Sequence, residues 1–464
     1  MNNKYKKLIG NTIIFAIGNL GSKLIQFILI PLYSYTLTAS EFGRADLVTQ
    51  LVFLLTPVIG LELYDGVFRF ALEGKDNEYS KKLVSSAFFV IVAILILILP
   101  FIYFLDKKFK GYYVFYVYFF LVSNIFFALI SNYIRAEGKV RIFATAGIVN
   151  TFIMGVCNVL FLVYFKSGIK GYLLSYSMGL IGGICFILIS TKVVKEIKLR
   201  YFDRKILYEV LRYSLPLIPN YFSWWLNSSS DRLFIIGIIG ASANGIYAMA
   251  NKMPNFINLV LQIFSQSWQM SVIEEYKKKD GNIFITNVFD KIVCFLFIVG
   301  TLIVMNIRFV YELLISNNYY VGWKLTYLLV LAVIYASISI VLETIYTAFK
   351  DTLSVLKSTV YGAVINIALT MLLIFRFGYY GPAVANCCSF LIVCLVRIYG
   401  IKDKNLLNIK WKKIFIYHLL FFLCTIFSFT IDNDLLLIVI SILYLFVVIC
   451  LDKDIRYLII HFTR

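Results

Sequence analysis

Histidine is almost absent from this chain. Of its 464 residues only His418 and His461 are histidines, too few to build a histidine-based metal site. Charge is scarce as well: 15% of the residues are charged against 61% hydrophobic, and a mean hydropathy of +0.85 excludes a soluble domain, which would need far more polar surface. The eight cysteines form no CxxC pair and fall inside apolar runs, where a thiol behaves as a small hydrophobe, so nothing points to zinc or redox chemistry. No stretch reads as a P-loop, a Rossmann fingerprint or an HExxH helix, and the outer connections are too short to hold a catalytic domain. The expectation is a protein that is not an enzyme and holds neither cofactor nor metal.

Long apolar runs take the place of what is missing. Runs of about 20 apolar residues recur along the chain, each long enough to cross a bilayer as a helix. With basic loops as punctuation, about fourteen spans are expected. Their cores lie near 9–36, 44–70, 83–104, 113–133, 143–165, 172–190, 214–238, 246–272, 289–310, 325–347, 357–376, 381–400, 414–431 and 435–451. Lys4-Tyr5-Lys6-Lys7 precedes the first run without a small-residue cleavage site, which reads as an uncleaved first helix rather than a signal peptide. The net charge of +19 does not indicate nucleic acid, because the bases stand in alternate loops instead of one patch. Roughly 29 Lys and Arg fall on one side and about 7 on the other, which places both termini in the cytoplasm and residues 432–434 outside.

Two short motifs recur in register. Ala39-Ser40-Glu41-Phe42-Gly43 returns as Ala241-Ser242-Ala243-Asn244-Gly245, and Phe165-Lys166-Ser167-Gly168-Ile169-Lys170-Gly171 as Phe375-Arg376-Phe377-Gly378-Tyr379-Tyr380-Gly381. The offsets of 202 and 210 describe one duplicated unit with a small insertion. The expected fold is an all-α integral membrane protein with two six-helix lobes. An even number of spans per copy puts the pseudo-twofold along the membrane normal. The expected boundaries are 1–190 for the N-lobe (spans 1–6), 191–213 for a basic cytoplasmic linker, 214–400 for the C-lobe (spans 7–12) and 401–464 for spans 13 and 14 with a tail. The last two spans have no counterpart in the repeat and are expected at the periphery.

Polar residues at bilayer depth cost at least about 2.5–3.5 kcal/mol when charged and normally face protein or a water-filled cavity. Lys23 shares a face of span 1 with Asn19, Ser22 and Gln26, and no acid stands within a turn of it. Glu62, Asp65 and Arg69 line one face of span 2. In span 7, Asn227-Ser228-Ser229-Ser230 runs into Asp231-Arg232. In span 8, Asn251, Asn255, Asn258, Gln262, Gln266 and Gln269 recur at steps of 3 or 4, the period of one continuous helical stripe flanked by Lys252. Tyr335, Ser339, Glu343 and Tyr346 mark a weaker face on span 10. These amides suit a hydroxyl-rich cargo or interhelical hydrogen bonds. Arg69 and Arg397 stand near the cytoplasmic boundary, where the expectation is that they snorkel. Asp231, Glu62, Asp65 and Glu343 are the deep carboxylates available for cation coupling, or for pairing with a neighbouring base. Pro31, Pro57, Pro216, Pro219 and Pro254 concentrate in the first two spans of each copy, where bends would serve alternating access.

Ile30-Pro31-Leu32-Tyr33-Ser34, Leu37-Thr38 and Glu41-Phe42-Gly43 resemble the amino-terminal signature of polysaccharide flippases. Tyr213-Ser214-Leu215-Pro216-Leu217-Ile218-Pro219, Asp231-Arg232, Gly245-Ile246-Tyr247-Ala248 with Lys252, and Arg135-Ala136-Glu137-Gly138-Lys139 are similar to further parts of it. The resemblance, over spans 1–12, is to the Wzx-type O-antigen and capsule flippases of the multidrug/oligosaccharidyl-lipid/polysaccharide exporter superfamily. It implies an undecaprenyl-diphosphate-linked oligosaccharide as cargo, a bacterial cytoplasmic membrane, and the polysaccharide polymerase and chain-length machinery as partners. A diphosphate calls for Lys and Arg, and sugar hydroxyls for amides. The cavity residues this suggests are Lys23, Gln26, Asn227, Asp231, Arg232, Asn251, Lys252, Asn255, Asn258, Gln262 and Gln266. A lipid II flippase of the same superfamily is the alternative, although span 2 and the loop after it offer only Arg69 where an arginine-rich signature is expected. A drug or cation antiporter would more often stop at twelve helices.

Overall fold

Hydrocarbon offers no partner to an unpaired amide or carbonyl, so an apolar run without an edge to close must pair its backbone within itself, as a helix. The computed structural model describes residues 21, 25–72, 77–108, 113–275, 281–348, 351–402 and 407–451, and every regular element among them is helical. The α-helices of ten residues or more are α1 (Ile25–Thr36), α2 (Ala39–Ile59), α3 (Leu63–Leu72), α4 (Asn77–Lys108), α5 (Val114–Ala136), α6 (Val140–Asn158) and α7 (Gly168–Ser190). Next come α8 (Arg204–Ser214), α9 (Ile218–Ser229), α10 (Ala241–Ala250), α11 (Asn255–Glu275), α12 (Gly281–Leu314) and α13 (Trp323–Ala348). The last four are α14 (Thr352–Phe377), α15 (Tyr380–Lys402), α16 (Trp411–Thr430) and α17 (Asp434–Leu451).

Among the described residues, ten helices are long and apolar enough to cross a membrane, and α1 and the apolar part of α17 are shorter apolar ones. Two interrupted rods, 204–239 and 241–275, supply the rest, the first through its part after α8, 215–239, which agrees with about fourteen spans. These two rods carry the polar residues of spans 7 and 8, and each is broken where a proline withholds an amide. Pro216 sits in the 3₁₀ turn Leu215–Leu217 before α9, and Pro254 ends the turn between α10 and α11. Span 8 is therefore not the uninterrupted helix that its amide spacing suggested.

The chain divides into two compact units, Met1–Trp225 and Leu226–Arg464. In the first, the repeated motif at Ala39 proves to be a helix start. The Thr38 hydroxyl accepts from the Glu41 amide at 3.2 Å while the Thr38 amide donates to Glu41 Oε2 at 3.0 Å, a capping box. In the second unit the matching motif likewise opens α10. The other repeated motif forms the turn into α7 in one unit and into α15 in the other, with Gly168 at φ +53° and Gly378 at φ +56°. A Cβ on Gly168 would stand 2.7 Å from Glu41 Oε1, so the two motifs of the first unit are neighbours in space.

Tyr33, Phe42 and Tyr172 pack at ring-centroid distances of 5.1–6.3 Å in the core of the first unit. Residues 191–213 also belong to this unit and are tied down: Ser85 Oγ donates to the Glu196 carbonyl at 3.1 Å and Tyr133 Oη to Glu196 Oε2 at 3.0 Å. The Asp203 amide donates to Ser86 Oγ at 2.8 Å, and α8 then lies across α3, where a Cβ on Gly66 would strike Ser214 and Val210. In the second unit α16 and α17 pack on α12, through Phe297–Phe421 and Asn306–Ser441, and leave side chains such as Phe415 and Leu435 exposed on the far side.

Candidate functional site

Each unit holds a polar centre at a break in a helix. In the first, Pro57 lies inside α2 and the helix ends at Gly60. Leu61 and Glu62 then adopt left-handed conformations, φ +50° and +52°, before α3 begins. Two consecutive non-glycine residues in this region cost about 1–2 kcal/mol each, strain that the surrounding packing must hold. The turn drives Glu62 into the protein, where it is 0% exposed. Tyr64 Oη donates to Glu62 Oε2 at 2.6 Å, and Glu62 Oε1 has no hydrogen-bond partner among the described residues. Asp65 accepts from Tyr221 Oη at 3.0 Å and Asn132 Nδ2 at 3.4 Å. Arg135, in the Arg-Ala-Glu-Gly-Lys motif, covers the Phe68 ring at 4.6 Å. The centre thus joins two carboxylates and two tyrosines, and no base forms an ion pair with Glu62 among the described residues.

The centre of the second unit is a paired one. Asp231 and Arg232 are 2% and 7% exposed, and Arg232 Nη1 lies 3.1 Å from Asp231 Oδ1. Tyr247 Oη donates to the other carboxylate oxygen, and the Arg232 guanidinium stands 5.9 Å from the Tyr247 ring centroid. Four residues before Asp231, the buried Asn227 Oδ1 lies 2.8 Å from Ser389 Oγ, which is also 2.8 Å from the Gly362 carbonyl. Asn366, Thr370 and Asn386 are buried polar side chains on the helices that carry Gly362 and Ser389.

The stripe on span 8 does not act as one row. Asn251 terminates α10, its Nδ2 donating to the Tyr247 carbonyl at 3.0 Å, and Lys252 is half-buried beside it. Asn255 is exposed and accepts from Asn258 Nδ2 at 3.1 Å. Gln262 and Gln266 continue α11 in the backbone, but their side chains lie outside the described residues, as does Lys23; Gln26 is half-buried on α1.

Arg397 corrects the expectation drawn from its position near a helix end. It does not snorkel; it is 2% exposed. Its Nη1 meets the Ser339 carbonyl at 2.6 Å and Glu343 Oε2 at 3.1 Å, Nε meets Ser358 Oγ at 3.0 Å and Nη2 Thr359 Oγ1 at 3.1 Å. One guanidinium therefore pins α13 and α14 to α15, and Glu343 is a paired carboxylate. Sequence reasoning overlooked Tyr247 as a partner of Asp231, although it stands in the quoted Gly-Ile-Tyr-Ala motif. It also overlooked Tyr221, Asn132 and the buried Asp46, which carry no periodic signal of their own.

The profile of the polysaccharide biosynthesis protein family matches residues 8–268, more than half of the chain. Among curated relatives, a protein of the Lsg locus of Haemophilus influenzae, Lsg locus protein 1, is 23% identical over 281 residues, 59% of this chain and 68% of that protein. Among solved structures, the lipid II flippase MurJ in an inward closed conformation superposes with a TM-score of 0.76 at 18% identity, covering 96% of this chain and 100% of that one. An inward-facing multidrug resistance MATE transporter of the MOP superfamily gives 0.67 at 14% identity over 84% and 98% of the two chains.

Proposed function

This chain belongs to the polysaccharide biosynthesis protein family and is a multi-pass membrane protein with the MOP transporter fold, and from that premise we propose that it flips an undecaprenyl-diphosphate-linked oligosaccharide from the inner to the outer leaflet of a bacterial cytoplasmic membrane. The observation that carries this reading is that the family match runs through both polar, proline-broken regions, Ala39–Leu72 and 204–268. Alternating access needs helices that can bend, and charge that is held by protein in every state rather than by lipid. The bases offered to the diphosphate would be Lys23 in the first unit and Arg232 in the second, and the amides of span 8 would meet the sugars. Surface-polysaccharide polymerisation outside would then consume the cargo.

The decisive assay is flipping of a fluorescent polyprenyl-diphosphate oligosaccharide in proteoliposomes. The proposal expects transport of that substrate in preference to lipid II, and the reverse preference would establish the lipid II alternative. Lys23→Ala is expected to abolish flipping at unchanged protein level, whereas Lys23→Arg retains part of it because charge is kept and shape is not.

Coupling is tested in the same vesicles. A cation drives transport only if it binds one state more tightly than the other. Of the four carboxylates, Asp231 and Glu343 face a guanidinium, Asp65 accepts hydrogen bonds from Tyr221 and Asn132, and Glu62 is enclosed with no base paired to it among the described residues. Glu62 is therefore the first residue to examine. An imposed proton gradient should accelerate flipping by the parent chain, and Glu62→Gln should remove that acceleration while leaving gradient-free flipping in place. Equal response of Glu62→Gln and parent would exclude it as the coupling group and return attention to Asp231. Orientation is open to cysteine labelling: residues 191–213 should react from the cytoplasmic side and residues 432–434 from outside.

A further inference from the structure

Residues 191–213 take no part in either polar centre, and their outward side has a composition that a solvated connection does not need. Lys192, Lys195, Lys198, Arg200, Arg204 and Lys205 are all exposed. Among them stand exposed apolar side chains: Val194 at 58%, Leu199 at 69% and Tyr208 at 68%. Two of the three acids have fixed partners. Glu196 accepts from Tyr133, and Asp203 caps α8 by accepting from the Lys205 and Ile206 amides, which leaves Glu209 as the exposed acid of the segment.

The arrangement on α8 is ordered. Ile206, Val210 and Ser214 are its buried side, directed at the first unit. Lys205, Tyr208 and Arg212, at spacings of 3 and 4, form the stripe diametrically opposite, an aromatic ring bracketed by a base one turn away on either side. The clamps at Ser85, Ser86 and Tyr133 hold the segment so that this side cannot turn inward.

Its place along the chain brings this side to a lipid surface. Ile189, in the last turn of the apolar helix α7, is 85% exposed, and Lys192 follows three residues later. At its other end α8 runs through the Leu215–Leu217 turn into α9. Tethered at both ends to membrane-crossing rods, the segment lies along the boundary where headgroup phosphates are found. Bases interleaved with exposed apolar and aromatic side chains are the composition that binds such a surface: the apolar groups enter the boundary and the bases meet phosphate.

We propose that residues 191–213 form a docking surface for anionic phospholipid headgroups of the surrounding leaflet, with the exposed bases on the phosphates and Val194, Leu199 and Tyr208 set into the boundary. This goes beyond orientation of the chain by its basic loops, which requires charge but neither exposed apolar groups nor a fixed face. It rests on the multi-pass topology and not on the cargo.

The test is hydrogen exchange of the full-length protein in nanodiscs of phosphatidylcholine alone or mixed with phosphatidylglycerol. Amides of residues 191–203 should exchange several-fold more slowly in the anionic discs. Each base changed to glutamine, in the series Lys195, Lys198, Arg200 and Lys205, should lower that protection by up to roughly fivefold, the increment of one basic residue beside an anionic leaflet. Salt near 1 M, where the screening length is about 3 Å, should weaken it, and Leu199→Ser should lower it at constant charge. Inorganic phosphate added to the phosphatidylcholine discs should give no protection. Unchanged exchange within α4 and α5 certifies the fold of each variant. Equal exchange of residues 191–203 in the two kinds of disc, or equal protection by inorganic phosphate, would overturn the proposal.

Discussion

Arg232→Ala is expected to deplete the folded protein, not only its transport. Asp231 is 2% exposed and paired at 3.1 Å with the guanidinium that this substitution removes. The Tyr247 hydroxyl and the residue-232 amide would remain as donors to Asp231, but neutral donors do not replace a cation beside an enclosed carboxylate. Breaking a buried pair from one side costs about 3–5 kcal/mol, a large share of the 5–15 kcal/mol that separates native from unfolded states in ordinary domains. Asp231→Ala with Arg232→Ala should recover much of the loss, because no lone charge is then left inside. Thermal unfolding in detergent with membrane levels measures both. Wild-type stability of the single variant would show that the pair is not holding the second unit. A double variant that folds but does not support surface-polysaccharide synthesis would assign the pair to cargo or coupling rather than to stability.

Arg397 should show an effect of similar size for a different reason. Its four contacts reach a carbonyl on α13, the Glu343 carboxylate and two hydroxyls on α14. Arg397→Ala takes a charged donor away from the Ser339 carbonyl and from the Ser358 and Thr359 hydroxyls, and is expected to cost about 3–5 kcal/mol, since each hydrogen bond to a charged group contributes about 1.5–3 kcal/mol. Arg397→Lys should recover only part, since a single ammonium cannot present the planar fork that reaches both neighbouring helices. Glu343→Gln should cost much less, because the Glu343 side chain is 41% exposed and the other three contacts survive it. An Arg397→Lys protein as stable as the parent, judged by its unfolding temperature, would mean that charge alone matters and the fork does not. A Glu343→Gln loss equal to that of Arg397→Ala would place the energy in the ion pair instead.

The two arginines differ in how visible their roles were beforehand. Asp231 and Arg232 stood out because charge inside an apolar run is expensive wherever it points. Arg397 was equally visible but was read as snorkelling, since position along a helix gives depth and not direction. Whether a base near a boundary turns outward or inward depends on what the neighbouring helices offer. Here Ser358 and Thr359 of α14 and the Ser339 carbonyl of α13 converge on it from positions tens of residues away in the chain.

The amino-acid sequence by itself determined the apolar runs that become helices and the recurrence of two short motifs, which the structure shows to be helix starts at Ala39 and Ala241 and glycine turns at Gly168 and Gly378. Each of these is a local matter: backbone pairing in hydrocarbon, a capping residue, a left-handed turn that glycine adopts freely. Only the tertiary structure decided that Leu61 and Glu62 take that same left-handed conformation, which neither residue prefers. It decided also that the amides of span 8 are divided by a turn, and that Tyr247 closes on Asp231 and Tyr221 on Asp65. The physical reason is the range of the forces involved. Spacing within a helix sets depth and face, but a buried polar group takes whichever partner distant segments bring to it, and strain persists only where the packing of many residues outweighs the preference of one.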